Sequence, residues 1–401
     1  MKYNFDEQVD RRGTASLKWD VPEDVLPMWV ADMDFKTAPC VAEAIKNRAE
    51  HGVFGYTDVD DKWYDAYINW WDKRHGFKMK PEWLMFCTGV IPAISSIVRK
   101  LTTPNEKVII QTPVYNIFFN SILNNGCRVS ESTLKYEDGK YYMDMDDLEE
   151  KMSDPMATLF ILCNPQNPSG NIWSREELKK IGELAVKYNV TVIADEIHCD
   201  ITDPGYDYIP FASVSDECRK VSITCMAPTK TFNIAGLQTA AICVPDDFLR
   251  FKVWRGINTD EVAEPNVFAR VAAIAAFTEG GEWLDELRAY IAENKRIAYE
   301  YIEKELPMLH VIRSHATYLM WIDISGWDYM KNFKPLPGDR ETAEKAGPIT
   351  AQDILRRKTG LYLSEGGIYG GNGESFLRMN LACTRTTLMD GLTRLKKAVT
   401  D

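Results

Sequence analysis

Lys230 follows an apolar, β-branched run at residues 221–225 and lies in a polar turn at residues 226–236. A strand that ends in small polar residues can hold an amine in place. A fixed amine can attack a carbonyl carbon or take up a proton. A Thr-Lys pair in such a turn is more often found on a polar surface loop, where the lysine has no catalytic role. The interpretation therefore depends on which other residues accompany Lys230.

Other parts of the chain supply the groups that such chemistry needs. Asp195 and Asn167 follow strand-like runs, Gly89 lies at a helix start, and Arg378 lies within a strand-like run near the C-terminus. Asn167 lies in a turn with two Asn-Pro steps and a glycine, a composition that favours a tight, stiff turn. Taken singly, these residues are most simply a helix cap, a turn, a helix start and a salt-bridge partner.

Together, these residues are the parts needed to hold pyridoxal phosphate (PLP) and an amino acid. Lysine forms a Schiff base with the cofactor aldehyde. A carboxylate such as Asp195, or its neighbour Glu196, keeps the pyridine nitrogen protonated, so that the ring accepts the electron pair left at the substrate α-carbon. The amide of Asn167 meets the ring oxygen, and a helix N-terminus with small residues holds the phosphate. The planar fork of an arginine matches the two oxygens of a substrate carboxylate. The ring of Tyr115 lies on the cofactor face or, more simply, in the core.

Composition excludes several other classes of protein. The chain has 401 residues and a formal net charge of -12, which disfavours nucleic acid as a partner. The nine cysteines include no C-x-x-C pair and indicate a reducing compartment, and the five histidines show no metal-ligand spacing, so no metal is expected. No signal peptide is visible, and no apolar stretch reaches the ~18 residues of a membrane helix. We expect a cytoplasmic protein.

The middle of the chain alternates short apolar runs with helical patterns, which indicates an α/β fold with a mainly parallel sheet covered on both faces. Strands are predicted at residues 108–110, 158–162, 190–194, 221–225 and 239–244. A helix is predicted from Arg175 to Tyr188, with Ser174 as its N-cap and Glu177 at the spacing of a capping box. Sites in such sheets lie at the carboxyl ends of the strands, where Asp195, Asn167 and Lys230 fall.

The last third of the chain predicts a smaller α+β domain, completed by the N-terminal segment. Its elements are a long amphipathic helix at 283–304, strands at 318–322 and 376–380, and a final helix at 387–399. Stretches rich in Pro and Gly at 334–338 and 366–373 predict loops. We expect residues 48–285 to form the large PLP-binding domain, and residues 1–47 with 286–401 the small domain that closes over the substrate.

These residues, in this order, resemble the fold-type I PLP enzymes, the aspartate aminotransferase superfamily. The closer resemblance is to the MalY/PatB branch of that fold, the cystathionine β-lyase or C–S lyase group, and it covers nearly the whole chain. The matching motifs lie at residues 5–7, 10–14, 18–20, 28–35, 54–57, 163–170, 194–198, 230–237 and 376–385. The resemblance implies a mainly parallel, seven-stranded sheet between helices.

The resemblance also implies a role for each candidate residue. Lys230 is the Schiff-base lysine and proton carrier, Asp195 pairs with the pyridinium, and Asn167 meets the ring oxygen. His198 stands near that oxygen, where aminotransferases of this fold often carry a tyrosine. The remaining implied contacts are ring stacking by Tyr115, phosphate binding by Gly89, Val90 and Thr229, a phosphate contact from Tyr56 of a neighbouring subunit, and a grip on the substrate carboxylate by Arg378 with backbone at Val30 and Ala31.

Two residues depart from the family pattern. Ala227 stands three residues before the lysine, where many relatives have a hydroxyl residue. Gln238 stands eight residues after it, where aminotransferases place a phosphate-binding arginine. Backbone amides, hydroxyls and Tyr56 must then meet the charge of the phosphate.

The activity that the resemblance implies is β-elimination from L-cystathionine or a related cysteine S-conjugate, giving a thiol, pyruvate and ammonia. The active unit is expected to be a homodimer. An aminotransferase shares every step up to removal of the α-proton, and sequence spacing does not separate the two outcomes. A third possibility is a PLP-binding regulatory protein whose lyase activity is secondary.

Overall fold

The structure is a computed structural model that describes residues 2–331 and 350–401. The strands in this part of the chain are β1 (Leu26–Pro27), β2 (Leu84–Cys87), β3 (Lys107–Ile110), β4 (Arg128–Glu131), β5 (Lys135–Glu137), β6 (Lys140–Tyr142), β7 (Ala157–Cys163), β8 (Thr191–Asp195), β9 (Ser222–Met226), β10 (Ala240–Cys243), β11 (His310–Val311), β12 (Leu319–Asp323), β13 (Leu361–Tyr362), β14 (Ser364–Glu365) and β15 (Phe376–Asn380).

The helices in the same ranges are α1 (Pro39–Glu50), α2 (Asp61–His75), α3 (Val90–Leu101), α4 (Ile117–Leu123), α5 (Met145–Ser153), α6 (Arg175–Tyr188), α7 (Asp216–Val221), α8 (Pro228–Thr231), α9 (Asp247–Thr259), α10 (Val267–Glu279), α11 (Gly281–Glu305), α12 (Asp328–Lys331), α13 (Ala351–Thr359) and α14 (Arg385–Thr400). None of them is both long and apolar enough to cross a lipid bilayer.

The larger sheet has seven strands in the order β2-β10-β9-β8-β7-β3-β4. The pairs β9–β8, β8–β7, β7–β3 and β3–β4 are parallel, whereas β10 runs antiparallel to both of its neighbours. The predicted mainly parallel α/β sheet is therefore confirmed. Because β7, β8 and β9 are parallel neighbours, their carboxyl ends meet at one edge.

Alternate residues of the central strands pack against different layers of helices. Ile161 and Ile193 belong to a core with α3 and α4, whereas Phe160 and Val192 belong to a core with α6 on the other face. Burial on both faces explains why these strands read as continuous apolar runs. Helix α6 begins with the predicted capping box between Ser174 and Glu177.

A second, antiparallel sheet has the order β11-β12-β15-β14. One core joins it to α11 and α14. Strand β1 pairs in parallel with β13, which places the N-terminal segment against the C-terminal part of the chain. Helix α11 is continuous through the predicted domain boundary at residues 285/286. The division of the chain into two domains remains a prediction.

The two predicted loops have different outcomes. The stretch 334–338 lies outside the described residues. The stretch 366–373 is irregular except for two single 3-10 turns, at Gly367–Tyr369 and at Gly373–Ser375, the second running two residues past the stretch.

Candidate functional site

Three neighbouring strands bring the predicted lysine, carboxylate and asparagine to one edge of the larger sheet. Asp195 is the last residue of β8, and it lies opposite Cys163 of β7 and Cys225 of β9. Asn167 follows β7 by four residues, and Lys230 follows β9 by four residues. The turns that carry Asn167 and Lys230 therefore flank Asp195.

Asp195 is a buried carboxyl group, with only 4% of the residue exposed. Its Oδ1 accepts a hydrogen bond of 3.1 Å from the backbone N–H of Ile197. Burial raises the pKa of Asp195 to about 7, and that backbone N–H and the positive charge of Lys230 act in the opposite direction. A carboxyl group that resists ionisation in this way gains most from a cation placed beside it.

Lys230 lies on the single turn α8, and its Nζ donates a hydrogen bond of 2.6 Å to the carbonyl oxygen of Ala31. The pKa of this amine is lowered to about 8, first by burial and then by the charge of Arg378, while Asp32 and Asp195 act in the opposite direction. An amine with such a pKa is in part unprotonated near neutral pH and can act as a base.

Arg378 is a buried residue of β15 that reaches across to the larger sheet. Its Nη1 donates to Oδ1 of Asn167 at 3.0 Å, and its Nη2 donates to the carbonyl oxygen of Trp29 at 2.9 Å. The guanidinium lies over the ring of Tyr369, 5.0 Å from the centroid. Nε is buried and has no hydrogen-bond partner among residues 2–331 and 350–401. A buried unused donor on a cation suits an anionic ligand.

His198 and Tyr115 complete the polar lining of this region. Burial lowers the pKa of His198 to about 3, and the charges of Lys230 and Arg378 act in the same direction, so the imidazole is neutral at pH 7. Its Nδ1 is buried and finds no acceptor or donor in the described part of the chain. Tyr115 lies between β3 and α4, and burial raises its pKa to about 12.

The residues predicted to hold a phosphate lie at two helix starts. Gly89 is the residue before α3 and Val90 is its first residue, so the first backbone N–H groups of α3 have no partner within the helix. Thr229 lies on α8 beside Lys230 and is buried. Ala227, the N-cap of α8, is buried and contributes no side-chain cap. Gln238 is exposed and has a φ of 52°.

The segment 29–35 crosses from the smaller sheet to the turn that carries Lys230, and sequence reasoning missed the side chains that hold it. The carbonyl oxygens of Val30 and Asp32 both accept 2.6 Å hydrogen bonds from Nδ2 of Asn380. The carbonyl oxygen of Ala31 accepts from the hydroxyl of Tyr318 at 2.9 Å as well as from Lys230.

The other end of segment 29–35 is held by Asn233, three residues after Lys230. Its Nδ2 donates to the carbonyl oxygens of Met33 and Phe35 at 2.9 and 2.8 Å, and its Oδ1 accepts from the N–H of Met33. The charged side chain of Asp34 is paired with buried Lys18. The resemblance implied a substrate contact for backbone at Val30 and Ala31, which stays a prediction, and it gave no sign of these supporting amides.

A second missed network lies behind Lys230. Oδ1 of Asp200 accepts from Trp70 at 3.0 Å and contacts Nε2 of His75 at 2.9 Å, and its Oδ2 accepts from the hydroxyl of Thr231 at 3.0 Å. In the described ranges, His75, Cys199 and Asp200 form one group of metal-type donor atoms within 4.8 Å. The two oxygens of Asp200 are already used by these protein groups, so the arrangement is that of an anchor for the lysine turn.

Tyr56 lies apart from the other predicted residues, and its side chain is fully exposed on the single chain. Exposed aromatic side chains occur nearby. Phe54 packs on Phe268, and α9 exposes Phe251 and Trp254 in the groove that Tyr56 also lines. Exposed aromatic clusters of this kind are typical of surfaces that another protein covers.

The donors and charges at this edge of the sheet fit pyridoxal phosphate. The buried carboxyl of Asp195 suits a pyridinium, and the free N–H groups at the start of α3 suit a phosphate. The orphaned nitrogens of His198 and Arg378 supply further buried polar groups for a ligand. The buried polar groups present at this edge of the sheet thus fit this cofactor.

The chain belongs to the family described as aminotransferase class I and II, whose pattern matches residues 23–395. It is similar to cystathionine beta-lyase PatB of Bacillus subtilis, with 43% identity over 99% of this chain and 100% of that protein. It is 31% identical to Protein MalY of Escherichia coli over 99% of both chains. The crystal structure of the PLP-bound C-S lyase from Staphylococcus hominis superposes with a TM-score of 0.89 and 33% identity, covering 100% of this chain and 99% of that one.

Proposed function

We propose that this protein is a PLP-dependent C–S lyase. It cleaves L-cystathionine or a related cysteine S-conjugate, with water, into a thiol (homocysteine from cystathionine), pyruvate and ammonia. The observation that carries the proposal is the position of buried Asp195 at the end of β8, next to the turn after β9 that carries Lys230. The similarity to a named cystathionine β-lyase and to a PLP-bound C–S lyase supports the reaction class.

Residues at the ends of neighbouring strands would hold the cofactor. Asp195 would pair with the pyridine nitrogen, Asn167 and His198 would meet the ring oxygen, and Tyr115 would stack on the ring. The N–H groups of Gly89 and Val90, with Thr229 and with Tyr56 of a second subunit, would bind the phosphate. When bound, the cofactor withdraws electrons from the substrate α-carbon and so makes the α-proton acidic.

Lys230 is the base that takes the α-proton. Its lowered pKa keeps part of the amine unprotonated at neutral pH, and its hydrogen bond to Ala31 fixes the position of Nζ. Arg378, together with backbone at Val30 and Ala31, binds the substrate carboxylate and so orients the α-carbon toward Lys230. The thiolate then leaves from the β-carbon with the electron pair of the C–S bond.

The active unit in this proposal is a homodimer, in which Tyr56, fully exposed on the single chain, contacts the phosphate in the partner's site. The exposed aromatic residues beside it support such an interface. Residues 48–285 form the PLP-binding domain, and residues 1–47 with 286–401 form the substrate-closing domain. The nine free thiols, eight of them buried, support a reducing compartment, the cytoplasm.

An aminotransferase is the second candidate, because the family description names that activity and the same lysine, carboxylate and arginine serve it. The test is to incubate the purified holoprotein with L-cystathionine without a keto acid acceptor. A lyase releases pyruvate and thiol over many turnovers. A single stoichiometric half-reaction, followed by turnover only when a keto acid is added, would establish transamination instead. Lys230→Ala is the control, and it is expected to release neither product at a measurable rate.

A further inference from the structure

The carbonyl oxygen of Ala31 accepts two hydrogen bonds from side chains far apart in the chain. Nζ of Lys230 donates to it at 2.6 Å, and the hydroxyl of Tyr318 donates to it at 2.9 Å. Tyr318 is fully buried and directly precedes β12. A carbonyl oxygen has two lone pairs, so the catalytic amine and the tyrosine share the whole acceptor capacity of this group.

The position of the Ala31 carbonyl does not depend on Tyr318 alone. The carbonyl groups on either side, of Val30 and Asp32, are each bound by Nδ2 of Asn380 at 2.6 Å. These two bonds fix the neighbouring peptide planes. Loss of the tyrosine hydroxyl would therefore leave the Ala31 oxygen close to its position, and it would mainly increase the electron density available to Lys230.

We propose that Tyr318 is a positioning residue for the reaction, which lowers the basicity of Lys230 by sharing the Ala31 carbonyl with its amine. A carbonyl oxygen with two free lone pairs stabilises an ammonium group strongly. A second donor on the same oxygen weakens that stabilisation and releases the unprotonated amine at lower pH. The inference rests on the proposed role of Lys230 as the base.

Replacing Tyr318 by Phe removes none of the other charged and titratable groups around Lys230. Arg378 lowers the pKa of Lys230 in addition to burial, and Asp32 and Asp195 raise it. Among the described residues, His198 also interacts with Lys230, and Tyr115 interacts with Tyr318. Burial raises the pKa of Tyr318 far above its ordinary value, so its hydroxyl remains a protonated donor at every working pH.

The test compares Tyr318→Phe with Tyr141→Phe. Tyr141 is a matched control because it is buried and its hydroxyl donates a 2.7 Å hydrogen bond to Asn372, away from the lysine. In the full-length protein stripped of cofactor, trace acetylation of Lys230 is followed by peptide mass spectrometry as a function of pH. The pH at which labelling of Lys230 is half-maximal is the amine midpoint. In Tyr318→Phe this midpoint is expected to rise by about half a pH unit to one unit, the effect of one lost hydrogen bond. Tyr141→Phe is expected to match the wild type.

The holoenzyme gives a second readout. The acid limb of the kcat profile for L-cystathionine should move upward in Tyr318→Phe by the same amount, with KM at the plateau unchanged. An unchanged or lowered amine midpoint in Tyr318→Phe, or an equal rise in Tyr141→Phe, would overturn the inference. The labelling readout does not depend on the reaction. If the wild-type protein is labelled normally but does not cleave cystathionine, the proposed function is wrong. The effect of Tyr318 on the basicity of Lys230 is then decided by the amine midpoints alone.

Discussion

Nη1 of Arg378 donates a 3.0 Å hydrogen bond to Oδ1 of Asn167. The bond joins β15 of the smaller sheet to the turn after β7 of the larger one. It uses the amide oxygen of Asn167, so the amide NH₂ remains the part of that side chain which can donate to a ring oxygen. Arg378, proposed to bind the substrate, and Asn167, proposed to bind the cofactor, are thus joined directly by a hydrogen bond.

Arg378→Ala is expected to raise KM for L-cystathionine about 100-fold, because a charge-assisted, bidentate pair with the substrate carboxylate is worth a few kcal/mol. Steady-state kinetics measures the change. Arg385→Ala is the control, since Arg385 begins α14 with its guanidinium over the ring of Tyr290. An unchanged KM in Arg378→Ala, with a raised KM in Arg385→Ala, would move the role to Arg385.

Asp195→Asn is expected to abolish turnover and to stabilise the cofactor-free protein at alkaline pH. The pKa of Asp195 is about 7 in the folded chain, above its ordinary value near 4, because burial disfavours its charge. The folded state therefore keeps a proton that the unfolded state releases, and stability falls as pH rises from about 4 to 7. Asparagine does not ionise, so the Asp195→Asn protein does not lose stability in this way. Its free energy of unfolding should exceed that of the wild type by about 1–4 kcal/mol at pH 8 and by little at pH 4.

Urea unfolding midpoints at the two pH values measure this difference. Asp200→Asn is the opposite-sign control. Burial acts to raise the pKa of Asp200, but the hydrogen bonds from His75 and Trp70 outweigh it and hold the pKa below its ordinary value. Its charge stabilises the fold above that value and ceases to do so as pH falls, so Asp200→Asn should destabilise at pH 8. The same sign for both variants would contradict the assignment.

The sequence was sufficient for the parts that depend on local pattern. Runs of Val, Ile and Leu predicted the central strands to within one residue at each end, and the spacing of Ser174 and Glu177 predicted the start of α6. Parallel order then placed Asp195, Asn167 and Lys230 at one edge. The antiparallel direction of β10 was not predictable, because a short apolar run gives no indication of the direction in which it will pair with its neighbours.

The supports of segment 29–35 could not be predicted for a different reason. Tyr318 and Asn380 bond main-chain carbonyls that lie 287 and 350 residues away. Every residue type has such a carbonyl, so no side-chain pattern marks which ones will be acceptors. Only the packing of the smaller sheet against the lysine turn brings these groups together.

Thr231→Val is expected to lower kcat about tenfold with KM nearly unchanged. The hydroxyl of Thr231 anchors the turn of Lys230 to Asp200, and a hydrogen bond to a charged group is worth about 1.5–3 kcal/mol. Thr231→Ser keeps the hydroxyl and should retain most of the activity. Steady-state kinetics on both variants, with cofactor content measured by absorbance, decides the point. Near-normal kcat in Thr231→Val, with a loss in Thr231→Ser, would show that packing by the Thr231 methyl group, and not the hydrogen bond, matters.

Tyr56 is expected to act on the site of the partner subunit, and mixing two defective variants tests this directly. Tyr56→Ala should bind PLP more weakly, and Lys230→Ala should not turn over. In a symmetric dimer, a hybrid of the two variants builds one site from an intact Lys230 and the partner's intact Tyr56. Unfolding and refolding an equal mixture should then recover about a quarter of wild-type activity, because half of the dimers are hybrids with one intact site each. If Tyr56 instead served its own chain, every site in the mixture would carry a defect, and refolding would recover no more activity than the Tyr56→Ala protein has alone.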